Sequence, residues 1–476
     1  MLSVVTLIFA LSMSGPLMVS YVLDDGALSA FGTGMAIAAA AGMTLRIVTR
    51  GRRRELQVRD GFLLVALGWS LLPAFGALPL MLYLEDLSFT DAYFESVSGL
   101  TTTGATVLSG LDELSTSINL WRCQLQWMGG MGILVLAVAI LPLLGVGGSQ
   151  IFRAETPGPM KDAKLTPRIA ETAKGLWGIY AILTALCTLA YGLAGMDWVD
   201  AVMHAFTTLS LGGLSSHDAS FGYWDSPAIE LVAVVFMLVA GMNFATHFIA
   251  IRSGSLKTYA RDPEVMPFLG VLAFSIIGIA TFLWLSGTYD DPWLLVRHAA
   301  FNVVSIATTT GYASTDFGLW PIFVPLAMIL LCSFTTSAGS TGAGIKMVRA
   351  VLMAKHAALE MKRIIHPRAV IPLKLGSNVV DNRVVHAVLA FMLVYGCSAM
   401  IMTMLLIGTG MDAITAFSAV MASLNNMGPG LNEVGPAGNF SPLSDFQTWV
   451  CAFAMLLGRL ELLSLIVVLT PAFWRR

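Results

Sequence analysis

Charge is what this sequence has least of. Only 12% of its 476 residues are Asp, Glu, Lys or Arg, while 56% are hydrophobic, and the mean hydropathy is +0.77. A soluble domain carries about 25% charged residues, so half that density over this length puts most of the chain in lipid. Cysteine is scarce as well. Cys123, Cys187, Cys332, Cys397 and Cys451 lie far apart in apolar runs with no CxxC pair, which argues against thiol metal or redox chemistry and for isolated buried thiols. The seven histidines, His204, His217, His247, His298, His356, His366 and His386, are scattered, which argues against a metal site. No nucleophile–base triad, carboxylate pair or cofactor fingerprint is visible, so the chain does not read as an enzyme. A net charge of -2 gives no sign of a nucleic-acid partner. No basic segment precedes the first apolar run, so Leu2 to about Leu23 reads as a transmembrane helix rather than a removed leader.

What the sequence does have is many apolar runs of the roughly 20 residues that cross a bilayer, separated by segments of alternating charge character. Lys and Arg gather at Arg46, Arg50, Arg52, Arg53, Arg54 and Arg59; at Arg153, Lys161, Lys164, Arg168 and Lys174; at Arg252, Lys257 and Arg261; from Lys346 through Lys355, Lys362, Arg363, Arg368 and Lys374 to Arg383; and at Arg475 and Arg476. The positive-inside rule places these segments, and both termini, in the cytoplasm. The segments between them are acidic or neutral, as at Asp24-Asp25, Glu85-Asp86 and Asp290-Asp291. The chain therefore goes out and back once in an N-terminal two-helix unit (1–50) and four times more in units of one shared orientation, unlike the inverted repeats of many secondary transporters.

Four outer segments align. Asp91 to Gly104 ends in Thr101-Thr102-Thr103-Gly104. Asp200 to Gly213 ends in Leu211-Gly212-Gly213. Phe301 to Gly311 ends in Thr308-Thr309-Thr310-Gly311. Ala416 to Gly428 ends in Asn425-Asn426-Met427-Gly428. Each begins with an apolar stretch of about ten residues, too short to cross, and each lies between two long apolar helices. One such loop would read as a helix-packing turn; four at matching places read as one construction used four times. Irregular backbone at membrane depth must be buried in protein or meet water. Four loops meeting on an axis can replace the water shell of a cation with carbonyl oxygens, and helices entering from outside turn the negative ends of their dipoles inward. The expected fold is an all-α polytopic membrane protein: two N-terminal helices, then four parallel helix–pore helix–loop–helix repeats around a central pore, at 60–150, 170–260, 264–366 and 384–476. The expected ion ligands are the backbone carbonyls of Thr102, Thr103, Leu211, Gly212, Thr309, Thr310, Asn426 and Met427, just before the glycines Gly104, Gly213, Gly311 and Gly428.

Phe94 to Thr106, with Gln126-Trp127-Met128-Gly129-Gly130-Met131-Gly132-Ile133, Leu141 to Gly148, Arg153 to Pro159, Ala338 to Lys346 and Asn425 to Gly430, make the whole chain resemble the Trk/Ktr/HKT superfamily of potassium transporters, and within it the membrane subunit of Trk systems. The resemblance implies K⁺ as the transported ion, a bacterial inner membrane, a homodimer with one pore in each protomer, and a cytosolic TrkA-like nucleotide-binding regulatory ring. Nucleotide would then act only through that partner. Relatives that pass Na⁺ often carry serine in place of the first filter glycine, so four glycines favour K⁺. The departures from Thr-Thr-Gly at Leu211-Gly212-Gly213 and at Asn426-Met427 point to looser selectivity than a symmetric filter would give. The alternative is a Na⁺-permeable or H⁺/Na⁺-coupled cation symporter.

Thr335 to Gly344 consists only of Thr, Ser, Ala and Gly and interrupts an apolar run near the expected midplane. It reads either as a small-residue helix contact or, with support from the resemblance, as a gating loop below the filter, with Thr335, Gly339, Ser340, Gly342, Gly344 and Lys346 as its gate residues. It is not a phosphate loop, because Ile345 stands where Lys should follow Gly344 and no strand precedes it. Arg459, an ionisable group inside the last apolar helix, reads either as a local ion pair with Glu461 or Glu95 or, as the resemblance implies, as a positive charge near the pore that tunes cation passage. Arg122 and Arg297 read as snorkelling at the outer edge. Asn243 reads as a helix–helix contact in a long helix, and Asp91 and Glu95 as acids suited to a helix N-terminus.

Overall fold

The computed structural model describes residues 1–50, 58–135, 169–368, 371–376 and 378–475. The motifs Leu141 to Gly148 and Arg153 to Pro159, and the basic residues Arg52, Arg53, Arg54, Lys161, Lys164 and Arg168, lie outside the described residues. Helices dominate the described residues, joined by loops and turns. The β-structure among the described residues is one antiparallel pair of two-residue strands, Lys374–Leu375 with Asn378–Val379.

Among the described residues, six helices are long and apolar enough to span a bilayer: Leu2–Leu23, Leu28–Val48, Arg59–Tyr83, Ala173–Leu193, Val265–Leu285 and Asn382–Gly408. Their outward faces are apolar, with Phe274 79% and Leu285 78% exposed, while the hydroxyls of Ser98, Thr207, Ser305 and Ser418 are fully buried. Apolar outside and polar inside is the arrangement that lipid demands. The first span is really two helices, Leu2–Ser12 and Ser14–Leu23. Pro16 has no N–H to give the Ser12 carbonyl four residues back; Gln124 Nε2 supplies that oxygen with a donor instead, at 2.7 Å.

Between the long helices sit four short ones, Phe89–Leu100, Trp198–Leu209, Pro292–Ala307 and Ala413–Leu424. Each is opened by a capping side chain that accepts a first-turn N–H: Ser88, Asp197, Asp291 and Asp412. At 12 or 16 residues and 1.5 Å per residue, none crosses the roughly 30 Å hydrocarbon core.

Two of the helices that follow the loops bend where the sequence reads unbroken spans, and the third is interrupted where the sequence reads an interruption. The second bends by 94° between Pro227–Gly241 and Phe244–Ser253, and the fourth by 116° between Asp445–Arg459 and Leu463–Leu469. The third stops at Cys332 and resumes at Met347. Asn243 is therefore not mid-helix. It caps the second half of a broken helix, its side chain accepting from Ala245 N at 2.8 Å. Arg459 likewise ends a helix, and Glu461 and Leu462 after it take positive φ values of 54° and 33°.

Candidate functional site

The four short helices end in one identical hydrogen-bond pattern. Thr102 N donates to Gly99 O and Thr103 N to Ser98 O, at 3.0 and 2.8 Å. Leu211 and Gly212, Thr309 and Thr310, and Asn426 and Met427 repeat this pair of bonds at 2.8–3.1 Å. These are Schellman caps, which need a left-handed residue just past the helix. Thr102, Leu211, Thr309 and Asn426 supply it, with φ of 54°, 52°, 63° and 48°. Three of the four are neither Gly nor Asn, at a cost of roughly 1–2 kcal/mol each, and such strain clusters where function needs it. The caps consume the N–H groups of the eight expected ligand residues. Among the described residues, only Gly212 O of these eight has a protein donor, Gln126 Nε2 at 2.7 Å.

The glycines show how the loops meet. A Cβ on Gly104 would run into Gly212 O, one on Gly213 into Thr310 O, and one on Gly311 into Met427 O; one on Gly428 would stand 3.0 Å from Thr103 O. Each loop thus abuts the next in chain order, and the fourth returns to the first. All four glycines have φ between 77° and 98°, a conformation open to glycine at little cost. The same four glycines line a cavity of about 90 Å³ on the far side of the loops from the short helices, together with Arg122, His217 and Asp218.

Arg122 does not snorkel. It is 1% exposed and donates to Glu95 at 2.7 Å, to Asn119 at 3.0 Å, to Thr106 at 3.2 Å and to Ser215 O in the second loop at 3.2 Å. Glu95 is correspondingly not a helix-terminus acid but the buried partner of this ion pair, while Asp91 does lie in the first turn. Arg297 is also paired, with Glu230 and Asp225. At the rim, His217 joins Asp112 of the first loop to Asp200 of the second short helix and stacks on Tyr223 at 3.6 Å. Burial by itself would lower its pKa, but hydrogen bonds to Asp200 and Asp112 outweigh that and hold it above the ordinary 6.5. Sequence reasoning missed these ties; a charged residue in an apolar run was the signal for Arg122, but nothing local named its partners.

The segment between Cys332 and Met347 lies against the helix-terminal side of the ring. Thr341 Oγ1 donates to Leu209 O at 2.9 Å, and Ala343 N to Thr309 Oγ1 at 3.2 Å. A Cβ on Gly342 would stand 3.2 Å from Thr308 O. Its backbone is satisfied largely by protein: Ser337 N bonds Gly241 O, Gly339 O accepts from Phe244 N, and Met347 N bonds Thr336 O. Thr335 and Ser340 turn their hydroxyls to Leu331 O and Ser337 O, and Gly339 and Gly344 have φ of 71° and 82°. Two basic side chains hold the segment by its carbonyls: Lys346 donates to Gly342 O, and Arg459 to Thr341 O at 2.9 Å and to Gly129 O at 3.1 Å. Neither acid expected beside Arg459 pairs with it. Glu95 is taken by Arg122 and Glu461 by Arg349. The expected gate residues and ligand residues therefore meet in one place. Among the described residues no cluster of three or more His, Cys, Asp or Glu is placed to hold a metal ion.

A bundle of membrane-length helices enclosing four capped half-helices, whose loops close a ring, defines a polytopic membrane protein with its irregular backbone buried at the centre. The profile of the TrkH family, described as cation transport protein, matches residues 27–476, and the chain belongs to that family. It is 47% identical over 476 residues, all of this chain and 98% of the relative, to the Trk system potassium uptake protein TrkH of Halomonas elongata. It is 46% identical over 471 residues, 98% of this chain and 97% of the relative, to the protein of that name in Escherichia coli K12. The crystal structure of the potassium transporter TrkH from Vibrio parahaemolyticus superposes with a TM-score of 0.92 at 44% identity, covering 99% of this chain and 98% of that one.

Proposed function

We propose that this chain takes up K⁺ across a bacterial inner membrane through the ring formed by its four loops, which acts as a selectivity filter. The observation that carries the reading is the closed circuit of glycine-to-carbonyl contacts, 104 to 212, 213 to 310, 311 to 427 and 428 to 103. Four successive loops can pack this way only around a shared axis, and the carbonyls beside that axis are the groups able to replace a cation's water shell. The four short helices add the negative ends of their dipoles on one side of it. The names of the relatives supply the ion. In this reading each of the four repeats contributes one quarter of the ring, the segment 335–344 is the gate, Arg459 is the pore charge, both termini are cytoplasmic, and the protein works as a homodimer governed by a cytosolic nucleotide-binding ring.

Uptake of ⁸⁶Rb⁺ by liposomes holding the purified protein tests the reading, with unlabelled K⁺ and Na⁺ as competitors. K⁺ should compete strongly and Na⁺ weakly. Equal competition by the two ions would favour the Na⁺-permeable alternative, whose support is the donor that Gly212 O already has. Uptake that follows an imposed proton or Na⁺ gradient rather than the Rb⁺ gradient would point to a coupled symporter.

A further inference from the structure

Two of the four loops depart from threonine at the residue before the glycine, and the second departs furthest. Thr103 and Thr310 hold that place in the first and third loops. Their hydroxyls bond back to Thr101 and Thr308, at 2.7 and 2.8 Å, which ties each loop to the end of its own helix. Gly212 holds the same place in the second loop and has no side chain to do this. Nor does the backbone require glycine there, since Gly212 is not among the residues with positive φ. The space that its side chain would fill is occupied from elsewhere. A Cβ on Gly212 would overlap the Gln126 amide, whose nitrogen would stand 2.7 Å away.

Gln126 belongs to Thr116–Val135, the helix that follows the first loop, and it is fully buried. Its amide makes two bonds to the second loop, Nε2 to Gly212 O at 2.7 Å and Oε1 from Leu214 N at 3.1 Å. The bonds straddle Gly213, one of the four ring glycines. Burying an amide costs free energy unless both its ends are bonded, and here both ends are spent on one loop.

We infer that Gln126 is a specificity-determining positioning residue: its amide stands in for the side chain absent at Gly212, sets the height of the second loop in the ring, and draws on the carbonyl that would otherwise face the ion unshared. The inference rests on the reading of the ring as the K⁺ filter. It also gives the glycine a cause, since residue 212 is small so that an amide from the neighbouring repeat can reach the loop.

The test is a reciprocal pair of substitutions read by ⁸⁶Rb⁺ uptake in liposomes, with Na⁺ as competitor and the full chain in every case. Gln126→Ala removes the amide, and Gly212→Thr restores a hydroxyl but meets the amide. Each alone should lower the K⁺ over Na⁺ preference roughly three- to tenfold, the ratio that one buried hydrogen bond is worth, through a raised KM for K⁺ with the maximal rate little changed. Together they should recover most of the preference, because the threonine then occupies the space the amide left. A double variant that is worse than either single, or single variants with unaltered preference, would overturn the inference. Gly104→Ser separates the two levels. If it shifts the preference while Gln126→Ala does not, the filter reading stands and Gln126 only packs; if neither shifts it, the filter reading fails as well. Should Gln126→Ala not yield folded protein, Gln126→Glu keeps an acceptor for Leu214 N and removes only the donor to Gly212 O. A preference equal to the parent's would overturn the inference, and a lowered one would support it.

Discussion

The four ring glycines are alike in sequence but unequal in space, and that inequality can be measured. Built Cβ atoms on Gly104, Gly213 and Gly311 collide with a neighbouring carbonyl, whereas one on Gly428 stands 3.0 Å from Thr103 O, with room for a small shift. All four have positive φ, so alanine is strained at each by roughly 1–2 kcal/mol; the collision is an added cost at three of them. Alanine at 104, 213 or 311 should therefore abolish K⁺-selective ⁸⁶Rb⁺ uptake, and alanine at 428 should leave a measurable fraction of it. Equal losses at all four would show that backbone strain alone governs these positions. The glycines could be found in the sequence because each closes a similar string of residues. The left-handed residues two places earlier could not. Thr102, Leu211 and Thr309 are poor formers of that conformation, and a sequence search for a helix cap looks for glycine or asparagine.

At the scale of elements, the interruption at 335–344 was visible because ten consecutive small residues cannot continue an apolar helix that packs on lipid. The bend at Asn243 was not, since a single Asn in an apolar run resembles an interhelical contact and no proline marks the break. The contacts of the interruption sharpen a prediction about flux. The segment is held by Lys346 and Arg459 through the carbonyls of Gly342 and Thr341, directly against the ends of the second and third short helices. If the segment is the gate of the proposed reading, deleting Gly339 to Gly342 should raise ⁸⁶Rb⁺ flux sharply and make it less dependent on the proposed cytosolic ring, with K⁺ preference retained. A folded deletion variant whose flux stays low and partner-dependent would move the barrier to Arg459. On the opposite side of the ring, the His217 clasp gives a dependence on pH. A histidine whose folded pKa lies above its unfolded 6.5 adds stability that is fully present below 6.5 and is lost as pH rises through the folded value. The Tm of the purified protein should exceed that of His217→Ala below pH 6.5, and the two should converge as pH is raised past it. A constant gap across that range would mean that the ring stacks on Tyr223 without its charge mattering.

Across the whole molecule, the class and the four-unit plan were legible because they rest on composition and on a repeat, both of which survive without coordinates. What joins the units was not legible. Arg122 reaches from the first unit to Ser215 of the second, Gln126 to Gly212, and Asn426 from the fourth back to Thr103 at 2.9 Å; contacts between residues tens to hundreds of positions apart leave no periodic trace. The long helix Met347–Ile365 continues from the central segment and carries Lys355, Lys362 and Arg363. Arg363 pairs with Glu360 at 2.5 Å on the exposed surface of this helix. If this helix carries the pull of a cytosolic ring, Lys362→Glu with Arg363→Glu should weaken co-purification of that ring while leaving the membrane protein's yield and Tm unchanged. Co-purification at equal strength would mean that these charges serve orientation in the membrane only.

The direction of the ring's contacts has a consequence for biogenesis. Each loop rests on the one that follows it in the chain, and only the fourth rests on one already made. While the ribosome is still delivering residues beyond 311, the third loop has no Met427 carbonyl to lean on and Thr103 has no Asn426 amide. Three inserted units are thus an open arc with two unmatched ends, and the arc becomes a ring in a single step when the last short helix enters. Nascent chains halted before residue 413 should accumulate as intermediates open to a protease or to an insertase, whereas chains long enough for residue 440 to have left the ribosome, so that Phe440 N can bond Thr106 O as it does at 2.8 Å in the full chain, should already be closed.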